Sequence, residues 1–392
     1  MKSLPEFSNS QQLEEILRAK IASSPTQQIT FAEYMALVLY HPEYGYYSSR
    51  VSIGSQGDFF TSASLGKDFG ELLGIQFAEM WRNLDCPDPF WLVEMGAGNG
   101  ELAQDILLYL QNQGDRSLIS ALKYIIIEQS PTLIRQQQEL LQSFSDFALT
   151  WQDWSDLADE QVTGCFFSNE LVDAFPVHLV QKSPDQLQEI YLGLQDGQLI
   201  EISDRLSTDK LAQYFDDLGL DLTDASYPVG YRTEVNLAAL DWLAKVAQKL
   251  KRGYVLTIDY GYSASKYYRP ARDQGTLQCY YQHRRHNNPY ANLGHQDLTA
   301  HVNFTALEDY GAQHSLSKFG FTQQGLFLMA LGLGDRLNEL SSGKFGLNEI
   351  FQRRDALHQL IEPTGLGGYG VLLQGKNLTK AQESLRGLVD YL

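Results

Sequence analysis

The segment FWLVEMGAGNGEL (residues 90–102) decides the fold class. Its first six residues are apolar except for Glu94 and predict a short buried strand, and a helical pattern follows at 101–113. Three glycines between them allow a tight turn and a close approach of the backbone to a ligand. These glycines are Gly96, Gly98 and Gly100. The segment therefore predicts a strand, a glycine turn and a helix N-terminus with unpaired N–H donors.

Outward from this segment, strand and helix patterns alternate along the chain. Apolar runs predict further strands at 123–128, 147–151, 164–170, 253–261, 320–329 and 368–376. Apolar residues at helical spacing predict helices at 11–22, 31–40, 65–84, 131–143 and 235–250, the second with Thr30 and Glu33 as a capping box. Strands separated by helices indicate a parallel sheet covered on both faces. The predicted fold is a doubly wound α/β fold.

The predicted domain organisation is one core with additions. Residues 1–64 are predicted to form an N-terminal helical region and an active-site loop, and residues 65–392 the core. Residues 183–230 are polar, rich in Asp and loop-like, with two weak strands, and we interpret them as an insertion into the core.

Charge and composition exclude several classes of protein. The chain of 392 residues has 30 Lys and Arg against 48 Asp and Glu, a net charge of −18, which argues against a nucleic-acid partner. A basic protein segment or a cationic small molecule is compatible with this charge. No apolar run of about 18 residues predicts a membrane span. The three cysteines lie far apart, so neither a disulfide framework nor a metal site is expected, and the expected compartment is reducing and cytoplasmic.

The glycine spacing departs from that of dinucleotide-binding proteins. The third glycine of that pattern would fall at position 101, which is Glu101, and an acid there would repel a pyrophosphate. The pattern Glu94-x-Gly-x-Gly-x-Gly resembles the first motif of class I S-adenosylmethionine (SAM) methyltransferases. Because SAM carries a sulfonium and an ammonium, acidic residues around it are favourable. A tight turn that holds no ligand is the alternative interpretation.

Polar residues follow several of the predicted strands. Because ligands bind at the carboxyl ends of parallel strands, Glu94, Glu128, Asp153 and the pair Asn169-Glu170 are expected to converge. Glu128 could accept both ribose hydroxyls, although exposed carboxylates at strand ends are also common. Trp154 could stack on the adenine, or it could simply pack in the core.

Several separated motifs resemble those of the MidA-type SAM-dependent methyltransferases, a family that includes the mitochondrial arginine methyltransferase assisting respiratory complex I assembly. The resemblance spans roughly residues 29 to 330 and keeps the family's order. The motifs are HPEYGYY (41–47), GDFFTS (57–62), EMGAGNG (94–100), NELVDAFP (169–176), DYGY (259–262), GTLQCYYQH (275–283) and DLTAHVNF (297–304). Two departures are Ala63-Ser64, where the family usually has Pro-Glu, and Asn303, where it tends to have Asp.

The resemblance implies a Rossmann-like seven-stranded sheet, a helical N-terminal part over the SAM site, and symmetric dimethylation of an arginine in a protein. The implied partner is a protein substrate that presents an arginine, and the oligomeric state is left open, a homodimer included. The candidate SAM-binding residues are Thr61, Ser62, Glu94, Gly96, Gly98, Asn99, Gly100, Glu128, Gln129, Asp153, Trp154 and Asn169.

Arginine is a difficult methyl acceptor because its guanidinium is delocalised and stays protonated. A pair of carboxylates can hold it bidentately and draw positive charge from the attacking nitrogen. Our hypothesis gives that role to Glu170 and Asp173, and on family grounds adds His301 as a candidate catalytic residue. The candidate substrate-binding residues are Tyr46, Tyr47 and Asp58, although the two tyrosines could equally anchor their loop.

Two other functions are compatible with these residues. A small-molecule SAM-dependent methyltransferase would have the same cofactor half of the site. A non-catalytic assembly factor could retain SAM as a structural ligand. An amino-methyltransferase acting on adenine or glutamine is disfavoured, because its Asn-Pro-Pro-Tyr motif is absent after the fourth strand.

Overall fold

The computed structural model describes residues 4–49, 61–113, 115–145, 147–282 and 284–388. These described residues form two compact units. The first unit lies within Met1–Val51, Val172–Trp242 and Gly261–Asp309. The second unit lies within Ser52–Leu171, Leu243–Tyr260 and Tyr310–Leu392. The predicted Asp58 and His283 lie outside the described residues.

The secondary structure alternates as the sequence predicts in the second unit and is mostly antiparallel in the first. In the described residues, the strands are β1 (Gln28–Thr30), β2 (Phe90–Met95), β3 (Leu122–Ile127), β4 (Ala148–Trp151), β5 (Val162–Asn169), β6 (His178–Lys182), β7 (Leu187–Gln195), β8 (Gln198–Asp204), β9 (Arg232–Val235), β10 (Leu250–Asp259), β11 (Gly261–Tyr262), β12 (Gln278–Tyr281), β13 (Arg284–His286), β14 (Asp297–Thr299), β15 (Val302–Asn303), β16 (Ser317–Gln323) and β17 (Gly370–Lys376). The helices are α1 (Leu4–Ser23), α2 (Phe31–Tyr40), α3 (Tyr46–Ser49), α4 (Asp68–Asn83), α5 (Glu101–Gln113), α6 (Arg116–Ala121), α7 (Pro131–Leu140), α8 (Lys210–Asp217), α9 (Leu237–Lys249), α10 (Ala264–Tyr267), α11 (Phe304–Gln313), α12 (Gln324–Leu331), α13 (Leu333–Glu339) and α14 (Leu347–Ile361).

The second unit is built on a seven-stranded sheet in the order β16-β17-β10-β5-β2-β3-β4. The five strands from β10 to β4 pair in parallel, whereas β17 runs antiparallel to both β10 and β16. Counted along the chain, the order is therefore 3-2-1-4-5-7-6, with a topological switch point between β2 and β5. The prediction of a doubly wound, Rossmann-like seven-stranded sheet is confirmed.

Burial explains why these segments form strands. All six residues of β2 are buried, and β3 and β5 are nearly as apolar, as expected for parallel strands covered on both faces. The amphipathic helix α4 presents Phe69, Leu73 and Phe77 to the same apolar core. This core fixes the register of the sheet and therefore the positions of the residues at its carboxyl edge.

The first unit contains a five-stranded antiparallel sheet. Strand β7 pairs with β1, β6 and β8, and β6 pairs with β9. A separate antiparallel sheet has the order β13-β12-β14. Strand β1, near the N-terminus, thus pairs with β7 of the predicted insertion in one sheet. Because the two strands are far apart in the chain, no local sequence pattern could indicate this pairing. The division into 1–64, 65–392 and an insertion at 183–230 stays a prediction.

Two local predictions have different outcomes. Helix α2 begins with the predicted capping box, in which Thr30 Oγ1 accepts from the Glu33 N–H at 3.1 Å and Glu33 Oε2 accepts from the Thr30 N–H at 3.0 Å. The strand predicted at 320–329 is wrong in its second half, because β16 ends at Gln323 and α12 begins there. Among the described residues, none of the helices combines the length and the hydropathy needed to cross a bilayer.

Candidate functional site

The glycine turn lies at the carboxyl end of β2, beside the switch point of the second unit's sheet. Gly96, Gly98 and Gly100 have φ of +71°, +55° and +89°, which confirms a left-handed backbone that favours glycine. A Cβ on Gly96 would stand 2.6 Å from Leu171 Cδ1. The Asn99 side chain accepts from the Glu101 N–H at 3.1 Å and so caps the start of α5. The turn exposes backbone to a ligand and directs a helix N-terminus at it.

Glu94 is the penultimate residue of β2 and is only 3% exposed. Its Oε2 accepts a hydrogen bond from the Tyr124 hydroxyl at 2.6 Å. Burial raises the pKa of Glu94 to about 7, the Tyr124 hydrogen bond opposes this shift, and the charge of Glu128 adds to it. Ionising such a buried carboxyl group is costly when it is alone, whereas a cation beside it favours the ionised form.

Glu128 follows β3 and lies close enough to Glu94 for their charges to interact. Its Oε1 accepts from the backbone N–H groups of Gln129 at 2.7 Å and Ser130 at 2.9 Å. Burial raises the pKa of Glu128, and these N–H donors partly offset the rise. Gln129 thus enters the site through its backbone, and the two donors fix the orientation of the Glu128 carboxylate.

Gln137 is a site residue that the sequence analysis missed. It is fully buried on α7, its Nε2 donates to the Gly98 carbonyl at 2.7 Å, and its Oε1 accepts from Trp151 Nε1 at 2.8 Å. Its side chain therefore ties the glycine turn to the end of β4. The polar Gln137 on the buried side of an amphipathic helix was the available signal.

Asp153 and Trp154 follow β4, as predicted, but their contacts are local. Asp153 is exposed, and its backbone N–H donates to Asp156 Oδ2 at 2.8 Å. The Trp154 ring stacks on Phe166, with 6.1 Å between the ring centroids and 17° between the planes. One face of the indole is therefore engaged in packing, and a role for either residue in adenine binding stays a prediction.

Asn169 ends β5, on the other side of the switch point, and Glu170 follows it directly. Glu170 has a φ of +49°, an uncommon conformation for a residue other than glycine. Its Oε1 accepts from the Ser62 N–H at 3.0 Å and from Asn169 Nδ2 at 3.3 Å. The Tyr369 hydroxyl lies 3.5 Å from its Oε2. The carboxylate is thus held from three sides.

Ser62 and its neighbours close this part of the second unit. Ser62 is fully buried, and its hydroxyl donates to Gln324 Oε1 at 3.1 Å. Thr61 precedes it, and the Thr61 N–H donates to Ser64 Oγ at 3.1 Å. Ser64, which is part of the departure Ala63-Ser64 from the family pattern, therefore makes a capping hydrogen bond. Gln324 and Tyr369 were missed because they lie more than 150 residues from Glu170 along the chain.

The remaining predicted residues lie in the first unit: Tyr46, Tyr47, Asp173 and His301. The Tyr47 hydroxyl donates to Asp297 Oδ1 at 2.8 Å, and its ring stacks on Tyr40 and contacts the edge of Tyr46. Asp173 is 5% exposed, and its carbonyl accepts from the Ala300 N–H at 2.9 Å. Tyr46, Tyr47 and Asp173 therefore lie near a carboxylate, Asp297, that the sequence analysis did not single out.

His301 stacks on Tyr262, with 4.9 Å between the ring centroids, and its backbone N–H donates to Thr276 Oγ1 at 3.1 Å. Burial, followed by the charges of Arg272 and Arg285, lowers the pKa of His301 to about 4. The imidazole is therefore neutral at pH 7 and a weak base. Asn303, which stands where the family tends to have Asp, caps α11, because its Oδ1 accepts from the Ala306 N–H at 3.3 Å.

The residues around the glycine turn fit a cationic nucleoside. Two acidic side chains with raised pKa values end adjacent strands, and glycines with positive φ bring backbone close to them. The buried Oδ1 of Asn169 has no hydrogen-bond partner among the described residues, so it can accept from a ligand. In the part of the chain that the structure describes, no group of His, Cys, Asp and Glu residues is suited to a metal ion.

Comparisons with known proteins agree with this geometry. Residues 72–322 match a family of S-adenosyl-L-methionine-dependent methyltransferases. The chain is 29% identical to the Drosophila melanogaster homologue of the mitochondrial protein arginine methyltransferase NDUFAF7, over 90% of this chain and 82% of that protein. Human NDUFAF7 is also 29% identical, over 80% of this chain and 72% of its own length.

A crystal structure gives the same result for the fold. A COG1565 superfamily member from Burkholderia thailandensis bound to S-adenosyl-homocysteine superposes with a TM-score of 0.85 at 29% identity, covering 99% of this chain and 97% of that one. Both the predicted cofactor and the resemblance to the MidA-type family are confirmed. The chain belongs to the MidA-type family of SAM-dependent methyltransferases.

Proposed function

We propose that this protein transfers methyl groups from SAM to arginine side chains of another protein. The observation that carries the proposal is Glu170, a carboxylate held by three groups in a strained backbone conformation directly after a central strand. Strained backbone at the carboxyl edge of such a sheet is concentrated at functional sites. Support for arginine comes from relatives of similar length that are named protein arginine methyltransferases.

The chemistry assigns a limited task to the protein. SAM would supply a methyl group already activated by its sulfonium. The chain's own residues therefore bind and orient the two reactants and exclude water from them. In the proposed mechanism, Glu170 accepts N–H groups of the guanidinium and aligns one nitrogen for attack. Formation of the bond between that nitrogen and the methyl carbon would break the methyl–sulfur bond, with S-adenosyl-homocysteine as the leaving group, and Glu170 would take the proton that the nitrogen loses late in the step.

Asp173 follows Glu170 by three residues, and its pairing with Glu170 around one guanidinium remains a hypothesis. His301 is neutral at pH 7 with a pKa of about 4, so we propose no proton transfer through it. We further propose that the product is symmetric dimethylarginine and that the acceptor is a subunit of a respiratory complex or its bacterial equivalent, on the strength of the family resemblance.

The decisive experiment uses purified protein, radiolabelled SAM and lysate from cells that lack this chain. We expect label in protein and, by mass spectrometry, methylated arginine residues. Glu170→Gln should abolish turnover while SAM affinity stays within a few fold, because the amide keeps the shape of the side chain but not its charge. Glu160→Gln removes an exposed carboxylate remote from the glycine turn and should leave turnover unchanged.

Two outcomes would redirect the assignment. Label confined to small molecules would favour a small-molecule methyltransferase. SAM binding without transfer to any acceptor would favour a non-catalytic assembly factor. Undiminished turnover in Glu170→Gln would remove the proposed role of that residue.

A further inference from the structure

One face of the antiparallel pair β12 and β14 in the first unit is polar. Gln278 pairs with Thr299, and Tyr280 pairs with Asp297. Because side chains alternate along a strand, these four residues share one face, whereas Cys279 and Leu298 point to the other and belong to an apolar core. We call Gln278, Tyr280, Asp297 and Thr299 the polar face.

The polar face is buried at two of its four residues, Asp297 and Thr299. Asp297 is fully buried and Thr299 is 3% exposed. The Thr299 hydroxyl is inaccessible to solvent and has no hydrogen-bond partner among the described residues. A buried hydroxyl without a partner costs about 1–3 kcal/mol, so it marks a position where a ligand group can be bound.

A second carboxylate and a further phenol lie beside the polar face. The Tyr47 hydroxyl donates to Asp297 Oδ1 at 2.8 Å, and the Ala300 N–H holds the Asp173 carbonyl at 2.9 Å. Burial raises the pKa of Tyr47, and the charges of Asp297 and Asp173 raise it further. Burial also raises the pKa of Tyr280, the charge of Arg285 opposes this rise, and the charges of Asp297 and Asp173 add to it. The Tyr47 phenol thus contacts the Asp297 carboxylate, and Asp173 is bonded through its backbone to the residue that follows Thr299.

We propose that the polar face, together with Asp173 and Tyr47, binds an arginine side chain of the acceptor protein other than the guanidinium that Glu170 aligns, and so determines substrate specificity. This inference rests on the proposed function for its choice of acceptor. Two carboxylates can receive the N–H fork of a guanidinium, and phenol rings can stack on its plane. The Thr299 hydroxyl supplies one further acceptor. A lysine ammonium would match the carboxylates but not the planar arrangement.

Arg285 provides a way to test the electrostatics. Arg285 lies on β13 and pairs with Tyr280 on β12, so it belongs to the same cross-strand row as Asp297, and it is exposed. Its charge opposes the binding of a second cation. Removing Arg285 should therefore tighten the binding of arginine, whereas removing the charge of Asp297 should weaken it.

The experiment measures binding and not turnover. The full chain, saturated with S-adenosyl-homocysteine, is titrated with N-acetyl-arginine methylamide, and the neutral N-acetyl-citrulline methylamide is the control probe. We expect the arginine probe to bind and Asp297→Asn to weaken it at least tenfold. Thr299→Val should weaken it about threefold, and Arg285→Ala should tighten it about twofold.

Glu189→Gln is the matched control, because Glu189 is an equally buried carboxylate of the first unit that pairs with His178 outside the polar face. The affinity of the Glu189→Gln variant for the arginine probe should equal that of the wild type. Equal binding of the citrulline probe, or an unchanged affinity in Asp297→Asn, would overturn the inference. Should Asp297→Asn fail to fold, Thr299→Val and Tyr47→Phe decide in the same way.

The outcomes separate this inference from the proposed function. Arginine binding that depends on Asp297, in a protein that never methylates arginine, would retain the site and reject the reaction. Methylated arginine in proteins with normal kinetics in Asp297→Asn would retain the reaction and reject the site.

Discussion

The Tyr124 hydroxyl donates a 2.6 Å hydrogen bond to Oε2 of Glu94, and both side chains are buried, on the adjacent strands β3 and β2 of the parallel sheet. The phenol stabilises the ionised carboxylate, while burial favours its neutral form. Burial has the larger effect, which leaves the pKa of Glu94 at about 7. A carboxyl group that changes charge near neutral pH, beside a glycine turn predicted to bind a cation, is expected to couple cofactor binding to protons.

The first prediction concerns the pH dependence of SAM binding. A cation favours the ionised form of Glu94, so SAM should bind more tightly as the pH rises from 6 to 7.5 and should release a fraction of a proton on binding. Calorimetry in two buffers of different ionisation enthalpy measures that proton. In Glu94→Gln the release should vanish and the affinity should fall at the upper pH. An equal proton release in the variant would assign the effect to another group.

The second prediction concerns stability without cofactor. The pKa of Glu94 is raised from 4.5 to about 7 on folding, so its neutral form is favoured in the native state and ionisation destabilises the fold. This cost is absent below pH 4.5, grows as the pH rises, and is complete above pH 7. Glu94→Gln should therefore be more stable than wild type by roughly 3 kcal/mol at pH 8 and by less at pH 5.5. Urea unfolding at the two pH values measures the difference, and a pH-independent difference would contradict it.

The sequence predicts the part of this molecule whose signals are local. Strand β2 and helix α5 have the predicted bounds, and the capping box at Thr30 is present. Acidic residues at the ends of β2 and β3 could be identified because a parallel sheet places those ends at one edge. Gln324 and Tyr369 could not be identified, because their roles arise from contacts between segments far apart in the chain. Asp297 opens one of the quoted motifs, but its contact with Tyr47 could not be predicted for the same reason.

The third prediction tests the buried amide that connects the glycine turn to β4. Gln137→Leu leaves both the Gly98 carbonyl and the Trp151 indole N–H without their hydrogen bonds. Because both partners lose a partly buried hydrogen bond, we expect a loss of about 1–3 kcal/mol in unfolding free energy and a SAM affinity at least tenfold lower. Gln213→Leu, at an exposed position on α8, is the control and should change neither quantity. Wild-type SAM affinity in Gln137→Leu would show that the turn holds its shape alone.

The last prediction separates stability from activity at Glu170. Its φ of +49° is strained for any residue with a Cβ, and glycine adopts this conformation readily. Glu170→Gly relieves this strain but also loses the bonds from Ser62 and Asn169, as Glu170→Ala does, so we expect the glycine variant to be about 1 kcal/mol more stable than the alanine variant. The same variant should have no detectable methyl transfer. Glu170→Ala, which removes the carboxylate but keeps the strain, should be equally inactive and less stable than the glycine variant. If alanine proves as stable as glycine, the backbone at this position is not strained, and the inference from strain to function fails with it.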